Sequence, residues 1–335
     1  MRLLVILCLV VLSACQKAEP VVIHGNTMGT TYSVKVIGAD VDAELLKAKI
    51  DSVLESVNDS MSTYRDNSEL SRFNKAPVNE WFTVSEGLMS VILSAREIWT
   101  LSAGRFDVTI GPLVNLWGFG PDASQDKVPS PDTLAAARAR VGMAHLQSRP
   151  GALLKQTDIY VDLSAIAKGY GVDQVAGLLE AEGLGNYLVE VGGELRARGH
   201  NAAGKIWQIA IELPDAHQRM PYRVVPLQDM AMATSGDYRN YFERDGVRYS
   251  HTIDPQTGAP VTHNLASVTV LASTATMADG LATAINVMGP EQGLAMAERQ
   301  NLAVFVILKA ADGFEARYTR AFAKYIEPEI SPTGS

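Results

Sequence analysis

The sequence predicts an α+β fold, a single unit with mixed sheets and flanking helices, and three observations carry that prediction. Two early segments repeat apolar residues with helical period, later segments have strand character, and the two kinds do not alternate regularly as a βαβ array would. In chain order, Leu46, Ile50, Val53, Leu54, Val57 and Met61 mark one helix face. Leu88, Val91, Ile92, Ala95 and Trp99 mark a second. Four segments then show β-branched alternation or short apolar runs, the pattern of strands: Asp158 to Leu163, Asn186 to Val191, Ile206 to Leu213 and Ala266 to Leu271. Helices are expected after the first and last of these, over Lys168 to Glu182 and Thr276 to Met288. Gly111-Pro112, Asp245-Gly246 and Gly289-Pro290 punctuate the elements.

Composition narrows the class. Of 335 residues, 47% are hydrophobic and 20% charged, as in packed globular proteins. The net charge of −8 argues against a nucleic-acid partner, because a phosphate backbone requires a basic footprint. An acidic protein can still take a phosphorylated ligand if a metal ion supplies local positive charge.

The N-terminal residues read as an address. Arg2 precedes an apolar run from Leu3 to Leu12 that is shorter than the roughly 20 residues a membrane-spanning helix needs. It ends in Leu12-Ser13-Ala14-Cys15, which resembles a bacterial lipobox. The expected organisation is a lipoprotein signal peptide at 1–14, a lipidated Cys15 with a tether to residue 20, a globular unit over 21–326 and a tail at 327–335. Such a protein faces the periplasm from a bacterial membrane. The inner membrane is favoured, although Gln16 rather than Asp after the cysteine leaves outer-membrane sorting open. The only cysteines are Cys8 and Cys15, so the globular unit has no disulfide, thiol nucleophile or cysteine metal site.

Several chemistries fail on sequence. There is no P-loop pattern, Gly169-Tyr170-Gly171 lacks the third glycine of a dinucleotide fingerprint, and neither His-Glu-x-x-His nor Gly-x-Ser-x-Gly occurs. Polar clusters at the ends of apolar segments remain, each open to a bland reading. Asp279 and Thr283 stand at i and i+4 on an expected helix, offering two hard oxygens to Mg²⁺, although spacing alone favours the plainer reading of an Asp near the helix N-terminus interacting with its dipole. Asp162 to Tyr170 is either an anion-binding helix start, with Ser164 as cap and Lys168 as point charge, or a plain strand–turn–helix. Gly192-Gly193-Glu194 allows close approach of a ligand, or is a bulge. In His251-Thr252-Ile253-Asp254-Pro255 an imidazole stands near an acid that is able to orient it; a structural histidine is the alternative. Gly104 to Thr109 suits an aromatic stacking on a flavin or adenine, or an ordinary edge strand.

Together these clusters resemble the FAD:protein FMN transferase (ApbE) family, once labelled thiamine biosynthesis lipoproteins. In family order the sequence carries Met28-Gly29-Thr30-Thr31-Tyr32, Met61-Ser62-Thr63-Tyr64, Phe106 to Val114 and Leu116 to Gly120. Asp162 to Gly169, Val191 to Glu194, Ala233 to Tyr238, His251 to Pro255 and Ala278 to Thr283 follow. The resemblance implies a T-fold-related unit with FAD in a cleft lined by Met28, Tyr64, Arg105, Phe106, Asp107, Asp162, Lys168 and Ile253. It implies Mg²⁺ on Asp279, Thr283 and the carbonyl of Ala165, with His251 activating the acceptor. Some relatives have a second Asp where this chain has Ala282, which leaves the coordination number open. The implied reaction moves FMN from FAD to a threonine hydroxyl and releases AMP. The implied acceptors are subunits of membrane redox complexes such as the sodium-pumping NADH:quinone reductase or the Rnf type. A pyrophosphatase yielding free FMN and AMP, and a non-catalytic FAD-binding lipoprotein, are the rival readings; no residue supports the thiamine label.

Overall fold

In the computed structural model, the described residues are 19–38, 41–121, 128–215, 220–236, 241–244 and 247–326. The lipobox, Cys15, most of the tether, Asp237-Tyr238, Asp245-Gly246 and the tail lie outside them. An eight-stranded sheet organises the rest. Its strands in spatial order are Val21–Thr27, Thr30–Val36, Tyr187–Val191, Glu194–Arg198, Met230–Gly236, Leu265–Ala272, Ala303–Ala310 and Gly313–Tyr318. Spatial order equals chain order, so the sheet is a meander with long excursions. Mixed sheets were expected, but every ladder among the described residues is antiparallel. Parallel pairing is confined to one isolated bridge, Ile110 to Tyr160.

Strand alternation sorts the core into two layers. Val304, Val306 and Leu308 point to the helical side, where Ala43–Met61, Ala167–Ala181 and Ala275–Arg299 pack, while Ala303, Phe305 and Ile307 point to the other. That second face is covered by the hairpin of Trp207–Glu212 with Pro221–Leu227 and by the short helix Arg320–Ala323. No helix among the described residues is long and apolar enough to cross a membrane.

The expected helices form at Ala43–Met61, Glu86–Leu101 and Ala167–Ala181. The segment Ala275–Arg299 is two helices joined at Gly289, whose φ of 76° ahead of Pro290 breaks the hydrogen-bond ladder one residue past the expected end at Met288. Three expected strands form as Tyr187–Val191, Trp207–Glu212 and Leu265–Ala272. The fourth, Asp158 to Leu163, is extended but not a sheet strand. Its backbone is held by a side chain: Asn74 Nδ2 donates to the Val161 carbonyl at 2.8 Å and Val161 N–H donates to Asn74 Oδ1 at 2.8 Å. Asp162 N–H then donates to the Val108 carbonyl at 2.7 Å. An amide side chain thus satisfies polar backbone that sequence pattern assigned to a strand neighbour.

The crossing of the helices that start at Ala167 and Ala275 depends on Gly169. A Cβ there would stand 2.2 Å from the Ala275 carbonyl oxygen and 2.8 Å from Thr276 N. Gly169→Ala is expected to destabilise the fold by about 1–3 kcal/mol through overpacking. Gly177→Ala, on the same helix with open space around it, is expected instead to stabilise by about 0.4–1 kcal/mol. Urea midpoints of the two variants check the contrast.

Candidate active site

A cavity of about 450 Å³ opens beside the strand Met230–Gly236, between the excursions of the meander. Its lining includes every site residue named from sequence among those described, except Met28: Tyr64, Arg105, Phe106, Asp107, Asp162, Ala165, Lys168, His251, Ile253, Asp279 and Thr283. Met28 instead forms, with Gly29, the two-residue turn joining Thr27 and Thr30, with φ of 50° and 71°. Its side chain packs on the cores beside Gly171, which makes it a support of the site's wall rather than a lining residue.

One wall is ionic. Asp279 is the fifth residue of its helix, beyond the first turn where a dipole is felt, and it is buried. Its Oδ2 accepts the Gly169 N–H at 3.0 Å, so the anion at the N-terminus of the Ala167–Ala181 helix is this carboxylate. The expected cap is absent, because Ser164 Oγ donates to Asp162 Oδ1 at 2.5 Å while Ile166 takes the N-cap position. Lys168 Nζ lies 3.9 Å from Asp279 Oδ2 and 3.7 Å from Glu194 Oε1. Burial would lower the lysine's pKa, but the Asp279 and Glu194 carboxylates outweigh it and hold the ammonium above its ordinary value. Burial raises Asp279, against the pull of Lys168 and Gly169 N–H. It also raises Glu194, to about 8, with Lys168 opposing and Asp279 reinforcing the shift.

Glu194 joins this wall although its motif alone gave no role. It follows the turn Gly192-Gly193, whose φ values of 59° and 105° close the hairpin between Val191 and Glu194. A Cβ at Gly192 would meet the Lys168 side chain at 3.2 Å, so the bare backbone also makes room for the lysine. The Val191-Gly192-Gly193-Glu194 signature was the signal that pointed here.

The lining also carries aromatic and further polar groups. Arg105 donates to Asp254 Oδ2 at 2.7 Å, while Asp254 Oδ1 accepts the Gln256 N–H at 2.8 Å. Asp254 therefore anchors Arg105, which corrects the expectation that it orients His251. The His251 ring lies edge-on to Phe119, with centroids 6.3 Å apart. Phe106 is only 3% exposed and packs in the core against the helix bearing Asp279, while the cavity lining also carries Phe119 and Tyr64, the latter 67% exposed. Asp107 lines the cavity with its carboxylate already engaged: Oδ1 accepts from Thr109 N and Oγ1, and Oδ2 from Met143 N. Ile253 is buried with Leu113 and Trp117, and Asn286 Nδ2 donates to Thr252 Oγ1 at 3.2 Å, tying the His251 segment to the Asp279 helix.

The donor chemistry fits a hard divalent cation. The Asp279 carboxylate shares the wall with the hydroxyls of Thr283 and Ser235, which lie 3.1 Å apart. No cluster of three or more His, Cys, Asp or Glu suited to a metal occurs among the described residues. A cation with few protein ligands, completed by phosphate oxygens, matches that inventory.

Fold and site together define the class, an α+β enzyme whose cavity is lined by several carboxylates and by Lys168 and Arg105. The pattern of the ApbE family matches residues 28–306. The FAD:protein FMN transferase of Vibrio cholerae is 49% identical over 322 residues, covering 95% of this chain and 96% of that protein. The solved structure of the flavin transferase ApbE from Vibrio cholerae superposes with a TM-score of 0.87 at 48% identity, covering 92% of this chain and all of that one. The apo structure of the flavinyl transferase ApbE from Pseudomonas stutzeri gives 0.87 at 41% identity, covering 93% and 98%. The chain belongs to the ApbE family.

Proposed function

We infer that this cavity is where FAD is cleaved, making the chain an FAD:protein FMN transferase like the relatives it matches. The observation that carries the reading is the convergence of Asp279, Thr283, Lys168, Arg105 and His251, from distant parts of the sequence, on one cavity. In the reaction, an acceptor hydroxyl oxygen bonds to the phosphorus of the FMN half, the bond from that phosphorus to the AMP oxygen breaks, and the hydroxyl proton is taken up. His251 is assigned as the base that receives it, because its imidazole stands on the cavity wall and imidazole is the commonest side-chain base near neutral pH. Lys168 and Arg105 supply fixed positive charge toward the pyrophosphate. Tyr64 and Phe119 flank the space for a planar ring, and Tyr64, Arg105, Phe106, Asp107, Asp162 and Ile253 shape the FAD pocket. A Mg²⁺ ion on Asp279, Thr283 and the Ala165 carbonyl would neutralise charge building on the phosphates and the departing AMP.

The acceptor is proposed to be a threonine in a subunit of a membrane redox complex of the sodium-pumping NADH:quinone reductase or Rnf type. We further propose that Cys15 carries lipid and holds the enzyme on a periplasmic membrane face. That placement suits a soluble cavity acting on membrane-bound acceptors.

Incubation with FAD, Mg²⁺ and a candidate acceptor domain, followed by mass measurement of the acceptor, tests the function. The expected result is a gain of one FMN moiety with equimolar AMP. AMP without the mass gain identifies a pyrophosphatase, and neither product identifies a binder; both overturn the transferase reading.

A further inference from the structure

Among the described residues that line the cavity, Glu194 is the one that carries a buried, unsatisfied side-chain atom. It is 4% exposed, yet its Oε2 has no hydrogen-bond partner, while Oε1 lies 3.7 Å from Lys168 Nζ. Buried carboxylates are normally satisfied, so an orphaned oxygen on a cavity wall asks for a ligand. Charge points the same way. Asp279 and Glu194 flank one ammonium, leaving two carboxylates to a single fixed cation in a wall largely withdrawn from water. Ala282 is fully buried among apolar residues, so its helix offers the cavity one carboxylate, Asp279.

We propose that Glu194 is a second anionic ligand of the divalent-cation site, reaching it from the sheet while Asp279 and Thr283 reach it from the helix. The proposal rests on the Mg²⁺ reading above and adds a residue to it. The hairpin turn at Gly192-Gly193 makes the arrangement possible, because it sets Glu194 as the first residue of its strand beside Lys168. The carboxylate then serves two cations, Lys168 through Oε1 and the metal through Oε2.

The test reads metal binding directly. Mn²⁺ alone is titrated into the full protein and followed by its electron paramagnetic resonance signal, with and without FAD, for wild type, Glu194→Gln and Glu194→Asp. Both variants are expected to bind Mn²⁺ at least tenfold more weakly, because Gln lacks the charge and Asp lacks the reach; thermal melting checks that they fold. Wild-type affinity in Glu194→Gln overturns the proposal. Full affinity in Glu194→Asp with a loss in Glu194→Gln also overturns it, by showing that charge at a distance suffices. A Mn²⁺-soaked wild-type crystal needs no substitution: the anomalous peak should lie within about 2.5 Å of a Glu194 oxygen, a coordination distance, and a peak on Asp279 alone rules Glu194 out. If wild type binds no Mn²⁺ with or without FAD, the Mg²⁺ reading itself fails, an outcome distinct from the loss of Glu194 alone.

Discussion

Asp279→Asn is expected to reduce FMN transfer by on the order of 10³-fold, since metal neutralisation of phosphate charge contributes several kcal/mol and each 1.36 kcal/mol is a factor of ten. The substitution keeps an oxygen for the Gly169 N–H and removes the charge. Stability should move differently. Because burial raises the Asp279 pKa, the folded state holds that proton more tightly than the unfolded chain does. The associated stability is present in acid and is lost as pH rises through the folded-state value. At neutral pH in chelator, Asp279→Asn removes a buried anion but also one of the two carboxylates that hold Lys168, so its melting point should stay near that of wild type, although Mg²⁺ no longer stabilises it. Thr283→Ala should be milder in transfer, since a neutral hydroxyl binds a hard cation less strongly than a carboxylate. AMP release against Mg²⁺ concentration, with melting curves in chelator, checks these outcomes. Unchanged Mg²⁺ activation in a folded Asp279→Asn protein would remove the metal assignment.

His251→Asn is expected to slow transfer by about 10²–10⁴-fold, the usual effect of losing a general base, while FAD affinity changes little. The ring sits on the cavity wall against Phe119, on a segment tied to the Asp279 helix through Thr252 and Asn286, so its loss should leave the pocket standing. Single-turnover transfer at saturating FAD, alongside flavin-fluorescence binding, separates the roles. Weak FAD binding with normal transfer at saturation would move His251 from proton transfer to ligand binding.

Much of the fold was readable from local pattern. Apolar residues three and four apart predicted the helices Ala43–Met61 and Glu86–Leu101, since one helix face had to be buried. Alternation or short apolar runs predicted Tyr187–Val191 and Leu265–Ala272. Asp158 to Leu163 has the same local appearance and is not a sheet strand, because Asn74, more than eighty residues earlier, takes its hydrogen bonds. The strands Val21–Thr27 and Thr30–Val36 went unread, although their turn, Met28-Gly29, lay within a recognised motif.

By itself the sequence determined the residue chemistry: which acids, hydroxyls and imidazole exist, at what spacing, and hence the family they resemble. Only the tertiary structure decided which of those groups remain available to a ligand. Asp254 is committed to Arg105, Asp107 to Thr109 and Met143, and Phe106 to the core, while Glu194 keeps an unmatched oxygen beside Lys168. The physical reason is that a hydrogen bond or ion pair is fixed by three-dimensional proximity. The 254–105, 107–143 and 194–168 pairs are brought together by the meander's long excursions, whose relative placement depends on the packing of the whole core and not on any local stretch of sequence.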